Sequence, residues 1–180
     1  MATRADGVVK FGVGCGLCLL IGAAGCGGAK PAPTGGGADG PAWMARGSGA
    51  FATERGRAFF GVASGSGQSP ALRRKDADAR SRAALAQALD AYAAKVAKLA
   101  AAGDAAAEQA ITGALHNLGQ SESASARVVD HLVKDGAESA VAMEELESFK
   151  AALDKSDLPQ DKRDAVKASA EAAFDAPDAS

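Results

Sequence analysis

The chain has 180 residues, with 20 Lys and Arg against 22 Asp and Glu and a formal charge of −2. That length suits one domain of about 100 to 150 residues plus extensions. The charge balance leaves no basic stripe of the kind that releases counterions from phosphates, so no nucleic-acid partner is expected. Hydrophobic residues reach 47% but aromatics only 4%. Much of the apolar count is alanine, the strongest helix former, so a thin, closely packed and mainly helical core is expected.

At the N-terminus, Arg4 and Lys10 precede an apolar stretch from Phe11 to Ala24 that ends in Gly22-Ala23-Ala24-Gly25. Charged, then apolar, then small is the order of a secretory signal, and the stretch falls short of the about 20 apolar residues of a permanent membrane span. Ala23-Ala24-Gly25-Cys26 resembles the bacterial lipobox, in which small residues precede a cysteine that is acylated and becomes the new first residue. Residues 1–25 are therefore expected to be a lipoprotein signal peptide, and Cys26 the lipidation site. Cys15 and Cys18 have CxxC spacing but lie inside the apolar stretch, with no second ligand pair downstream. They are expected to leave with the signal, and the mature chain to form no disulfide. A single acyl chain anchors only marginally, so two or three are needed for stable membrane residence. Gly27, rather than an aspartate, follows Cys26, which by resemblance to the lipoproteins of enteric bacteria favours the outer membrane.

Residues 26–49 are dense in glycine and proline, GGAKPAPTGGGADGPAWMARGSG from Gly27 to Gly49, and read as a tether without helix or central strand. Trp43 at its end is expected to be the first side chain to dock on the domain. Residues 50–176 are expected to form a single α+β domain. The run RAFFGVASG, Arg57 to Gly65, reads as a buried strand. A long helix from about Ala71 to Ala102 follows, with Leu85, Leu89, Tyr92, Val96 and Leu99 on one stripe. Gly103-Asp104 ends it and caps a second helix over about Ala105 to Leu118. Between Ser123 and Met143 the period changes to two around Asp135-Gly136, a tight-turn hairpin signal. Arg127, Val129, His131 and Val133 fall on one face, and Ala126, Val128, Asp130 and Leu132 on the other. A short helix carrying Leu146, Phe149 and Leu153 follows. Asp157-Leu158-Pro159 then reads as the capped start of a last helix with Val166, Ala170 and Phe174. The expected fold is α+β: a small antiparallel sheet of about three strands packed on a long Ala-rich helix, with additional C-terminal helices.

The segment PAW, the strand FFGVASG, the helix ADARSRAALAQAL and the later RVVDHLVKDGAESAVAMEELESFKAAL together resemble the bacterial twenty-kilodalton outer-membrane lipoprotein family, over most of residues 41–175. The resemblance implies a small sheet on a long Ala-rich helix, an envelope location and, as in some relatives, flagellar or motility roles with oligomeric assembly. It brings no catalytic residues.

The motifs of common chemistry are incomplete. Gly65-Ser66-Gly67 stands between strand and helix, where a dinucleotide turn belongs, but Pro70 occupies the third glycine position. His116 and His131 are the only histidines; with Asp130 and Glu138 they suggest a metal site or a base, but without ligand spacing. The basic run Arg73-Arg74-Lys75, with Arg80 and Arg82, is interleaved with Asp76 and Asp78 and reads as a solvated helix face. No catalytic, cofactor-binding or metal residue is assigned, and no enzyme is expected. The expected function is that of a lipid-anchored cell-envelope lipoprotein, attached to the outer membrane and facing the periplasm, with the cell surface as the alternative face. It would act as a structural or protein-interaction module whose partners are the membrane, envelope proteins or a second copy. The alternative is a periplasmic lipoprotein that holds a small molecule or lipid between helix and sheet.

Overall fold

The computed structural model describes residues 40–176; the expected signal peptide, Cys15, Cys18, Cys26 and the first part of the tether lie outside the described residues. The order is α1 (Ala42–Arg46), β1 (Gly49–Thr53), β2 (Gly56–Gly65), α2 (Pro70–Ala101), α3 (Ala105–Ser125), β3 (Arg127–Lys134), β4 (Ala137–Glu145), α4 (Leu146–Ala152), a 3-10 turn (Leu153–Lys155) and α5 (Gln160–Asp175). The fold is α+β, with one antiparallel sheet in the order β1-β2-β4-β3. The sheet has four strands, not about three. The added strand is β1, and with α1 it takes up residues 42–49, which the glycine content had assigned to the tether. Ser48 helps to extend β1: its hydroxyl accepts from the Val62 N–H (2.8 Å) and donates to the Val62 carbonyl (3.3 Å), replacing a strand partner.

The first half of the long helix meets β2 with almost no side chain between them at two glycines. A Cβ on Gly61 would stand 2.1 Å from the Ser81 carbonyl oxygen, and one on Gly65 would stand 1.9 Å from that of Arg73. Both glycines point to the same face of β2, four residues apart, and Ala77, Ser81 and Leu85 repeat at the same interval on α2. Ala140 and Ala142 continue the flat face on β4, each fully buried. Further along, the scarce aromatics meet. The Phe59 ring lies 4.9 Å from Tyr92, 5.4 Å from Phe174 and 6.2 Å from Phe149, in the tilted and edge-on arrangements that the ring quadrupoles favour. Leu85, Leu89, Val96, Ile111, Leu115, Leu146 and Val166 complete this core between α2, α3, α4 and α5.

Leu99 departs from its stripe and is 48% exposed. At 32 residues, α2 is about 48 Å long, whereas the ten residues of β2 extend about 33 Å, so the last turns overhang the sheet. The helix ends with Ala102 left-handed (φ 49°), followed by Gly103, and the Asp104 carboxylate accepts from the N–H groups of Ala106 and Ala107 to start α3. That helix continues past Leu118 to Ser125, and so takes in Ser123 to Ser125, where the alternation had been read as beginning. Asp157 does not cap α5; Pro159 precedes the helix and makes no side-chain cap.

The hairpin forms as expected, with Asp135 and Gly136 both at positive φ. A bulge at Val129, however, breaks the register between Val128 and Asp130. One extra residue reverses the alternation, so Val128 and His131 share the α2 face while Asp130 and Leu132 face the other way. The expected grouping of Arg127 and Val129 with His131, and of Val128 with Asp130, is therefore corrected.

Candidate functional site

On the α2 side, the bulge turns His131 toward the first half of the helix. Its Nε2 lies 2.6 Å from Asp78 Oδ1, and its Nδ1 lies 3.2 Å from the Arg74 guanidinium. A guanidinium only donates, so Nδ1 accepts and Nε2–H donates to Asp78. Both ring nitrogens of this tautomer are engaged, which leaves neither open to a substrate. Arg74 also reaches buried Glu138 at 3.8 Å. Asp130 sits on the opposite face, so the grouping of His131 with Asp130 and Glu138 that the sequence left as an alternative is not assembled. Among the described residues, no three His, Cys, Asp or Glu side chains are placed to hold a metal ion.

The Gly65-Ser66-Gly67 turn is also occupied from within. The Ser66 N–H and hydroxyl donate to Asp76 Oδ2 at 2.7 and 3.0 Å, and Arg80 reaches the same oxygen at 2.9 Å. These donors, the Ser66 N–H first, hold the Asp76 carboxyl below the usual carboxylate range. A phosphate at this turn would have to displace the chain's own carboxylate. The other basic side chains are similarly used: Arg73 donates to the Gly67 carbonyl and Arg82 to that of Ala126. Arg73, Arg74, Arg80 and Arg82 thus tie α2 to the sheet and its flanking turns, while Arg74, Lys75 and Arg80 stay exposed on the expected solvated face.

His116 forms a second pair, Nδ1 to Asp90 Oδ1 at 2.8 Å, with Gln120 also on Asp90 at 3.5 Å. The pair borders an open groove of about 720 Å³ between α2 and α3, floored by Ala93, Ala105 and Gly113 and edged by Glu108 and Thr112. A smaller cavity of about 240 Å³ lies between β1, α2 and the end of α5, against Ala88, Ala91, Tyr92 and Phe174. His131 lines neither. Asp78, Asp90 and Asp76, which position these groups, were missed by sequence reasoning. Asp78 is 53 residues from its histidine, and no local spacing signals such a pair.

The outer face of the sheet carries a separate apolar cluster: buried Ala58, Phe60 and Val141, with Phe51, Val62, Met143 and Trp43 packed around them. Trp43 docks here as expected, and its indole N–H donates to Asp130 Oδ2 at 2.8 Å. That bond, then the His131 backbone N–H, lowers the Asp130 carboxyl from its ordinary value. The Arg46 guanidinium stands 5.4 Å from the Phe51 ring centre and 5.7 Å from that of Phe60.

No family model, no curated protein and no solved structure matches the chain.

Proposed function

We propose that the chain is a lipid-anchored lipoprotein of the bacterial cell envelope, attached through Cys26 to the outer membrane and facing the periplasm, where it acts as a non-enzymatic structural or protein-interaction module. The observation that carries this reading is the order at the N-terminus: basic residues, an apolar stretch too short to be a comfortable span, then Ala23-Ala24-Gly25-Cys26, upstream of a domain that begins near Gly40. Among the described residues, no helix is long and apolar enough to cross a membrane, so in this reading attachment falls to the acyl groups. The resemblance to the twenty-kilodalton outer-membrane lipoprotein family supports the same location and an assembly role, including one in a flagellar or motility structure.

The second reading, a carrier of a small molecule or lipid, is favoured by one feature, the cavity of about 240 Å³ beside Tyr92 and Phe174. That volume is below the about 300 to 1,000 Å³ of ordinary ligand sites. Between α2 and the centre of the sheet, a ligand would have to displace Leu85, Leu89 and Phe149, each at most 1% exposed. The interaction reading is tested by crosslinking the full-length chain in cells of its native host. Recovery of envelope proteins or of a second copy is expected. A chain that stays monomeric and yields no envelope protein would overturn it.

A further inference from the structure

We propose that residues 40–48 form a hinged strap, latched by Trp43 on Asp130, which opens as a unit while the domain stays folded and so uncovers an apolar face of the sheet. This inference stands on the described domain alone and does not depend on the lipid anchor.

Four observations carry it. The strap contacts the outer face of the sheet: Trp43 to Asp130, Arg46 over Phe51 and Phe60, Ser48 to Val62, and Gly40 beside Leu132. No residue of α1 is fully buried, and Trp43 belongs to the small outer cluster rather than to the core around Phe59. Releasing it therefore leaves the larger core intact, the condition for local rather than global opening. The strap has a hinge at its β1 end, since Gly47 (φ 76°), near its last residue, and Gly49 (φ 144°), the first residue of β1, hold conformations that side chains resist. Finally, what it covers is apolar. Phe60 is 8% exposed and Val141 1% with the strap in place, and Phe51, Val62 and Met143 surround them. Asp130 faces the strap only because of the bulge at Val129. The irregularity in β3 thus sets the position of the latch.

Trp43 is the only tryptophan, so the emission of the full-length chain in detergent reports strap docking directly. Hydrogen exchange of the same chain reads Val62 N–H on Ser48, which opening releases directly, and two amides inside the strap, Gly47 N–H on the Trp43 carbonyl and Met44 N–H on that of Pro41, which lose protection because a five-residue helix does not hold once undocked. These three are expected to exchange together, at least about 100-fold faster than the amides of Ala140 to Ala142. In Asp130→Ala, strap exchange is expected to rise about tenfold, Trp43 emission to shift to the red, and binding of the apolar dye ANS to increase, with the protection of β4 unchanged. Asp130→Asn keeps an acceptor for the indole and is expected to stay close to the parent. Should Asp130→Ala fail to fold, Trp43→Phe removes the donor while keeping an aromatic ring, and the same rise in strap exchange is expected. Strap amides that exchange in step with β4, or an Asp130→Ala chain with parental emission and exchange, would overturn the latch.

Discussion

Glu144 points from β4 to the α2 face of the sheet, opposite Phe59 in the ladder, and burial, then the charges of Glu122 and Glu145, push its carboxyl up to about 7. The unfolded chain would release that proton near the ordinary value of 4.5, so between these two values the folded state binds more protons. Stability is therefore expected to fall as pH rises from about 4.5 to about 7 and to stay lower above that range. Glu144→Gln removes the ionisable group. It is expected to unfold at the parental denaturant concentration at pH 4.5 and to be more stable at pH 8. The full shift would correspond to about 3 kcal/mol, but the side chain is only half buried and solvent screens it, so about 1 kcal/mol is expected. Denaturant titrations of both chains at the two pH values give the comparison. At the end of α2, Ala102 holds a left-handed conformation that costs a side-chain-bearing residue about 1 kcal/mol. Ala102→Gly is expected to raise stability by about that amount, read as a shift of the thermal midpoint.

The relation of α2 to the sheet depends on Gly61 and Gly65. At both positions an added Cβ meets helix backbone, not the end of a movable side chain, so the helix itself must lift. Gly61→Ala is expected to destabilise the domain by about 3 kcal/mol, in contrast to Gly113→Ala, where a Cβ has open space and α3 should gain from its helix propensity. Chemical denaturation of the two variants measures the contrast. These glycines also mark how far the sequence was legible. The run RAFFGVASG announced a strand, and Asp135-Gly136 announced a hairpin, because each signal is local: an apolar run bounded by turn residues, and a turn that needs positive φ. That Gly61 and Gly65 would serve as a seat for Ser81 and Arg73 was not legible, since the partner backbone comes from a later element. Nor was β1, whose GAFAT sequence has too few branched or aromatic residues to stand out and takes its order from pairing with β2. The bulge at Val129 has no sequence mark either, and it alone decides that His131 meets Asp78 while Asp130 meets Trp43. Leu99 was misassigned because helical periodicity says which residues share a face but not where the covering sheet ends.

On the scale of the whole molecule, the described domain has two apolar layers of unequal depth. Between the sheet and the helices lies a core that gathers Phe59, Tyr92, Phe149 and Phe174; on the outer face a thinner cluster lies under the strap. Arg57 ties the sheet to the last helix through a two-point contact with Asp175, at 2.7 and 3.1 Å, and through Glu171. The basic half of α2 is a solvated face, as the sequence had suggested, with Arg74, Lys75 and Arg80 exposed, while Arg73, Arg74, Arg80 and Arg82 also make surface ties to neighbouring turns and strands. Neither the α2–α3 groove nor the strap-covered sheet face was visible in the residue pattern. In the proposed reading, the attachment of the domain to the envelope depends on one sulfur atom. Intact mass spectrometry of the full-length gene product, expressed in its native host beside Cys26→Ser and followed by detergent phase partition, tests this most directly. The expected result is a mature chain that begins at Cys26, is heavier by its acyl groups and enters the detergent phase, with the serine variant unacylated and in the aqueous phase. A parental chain that carries no acyl mass, or a serine variant that still follows the detergent, would contradict lipidation at Cys26.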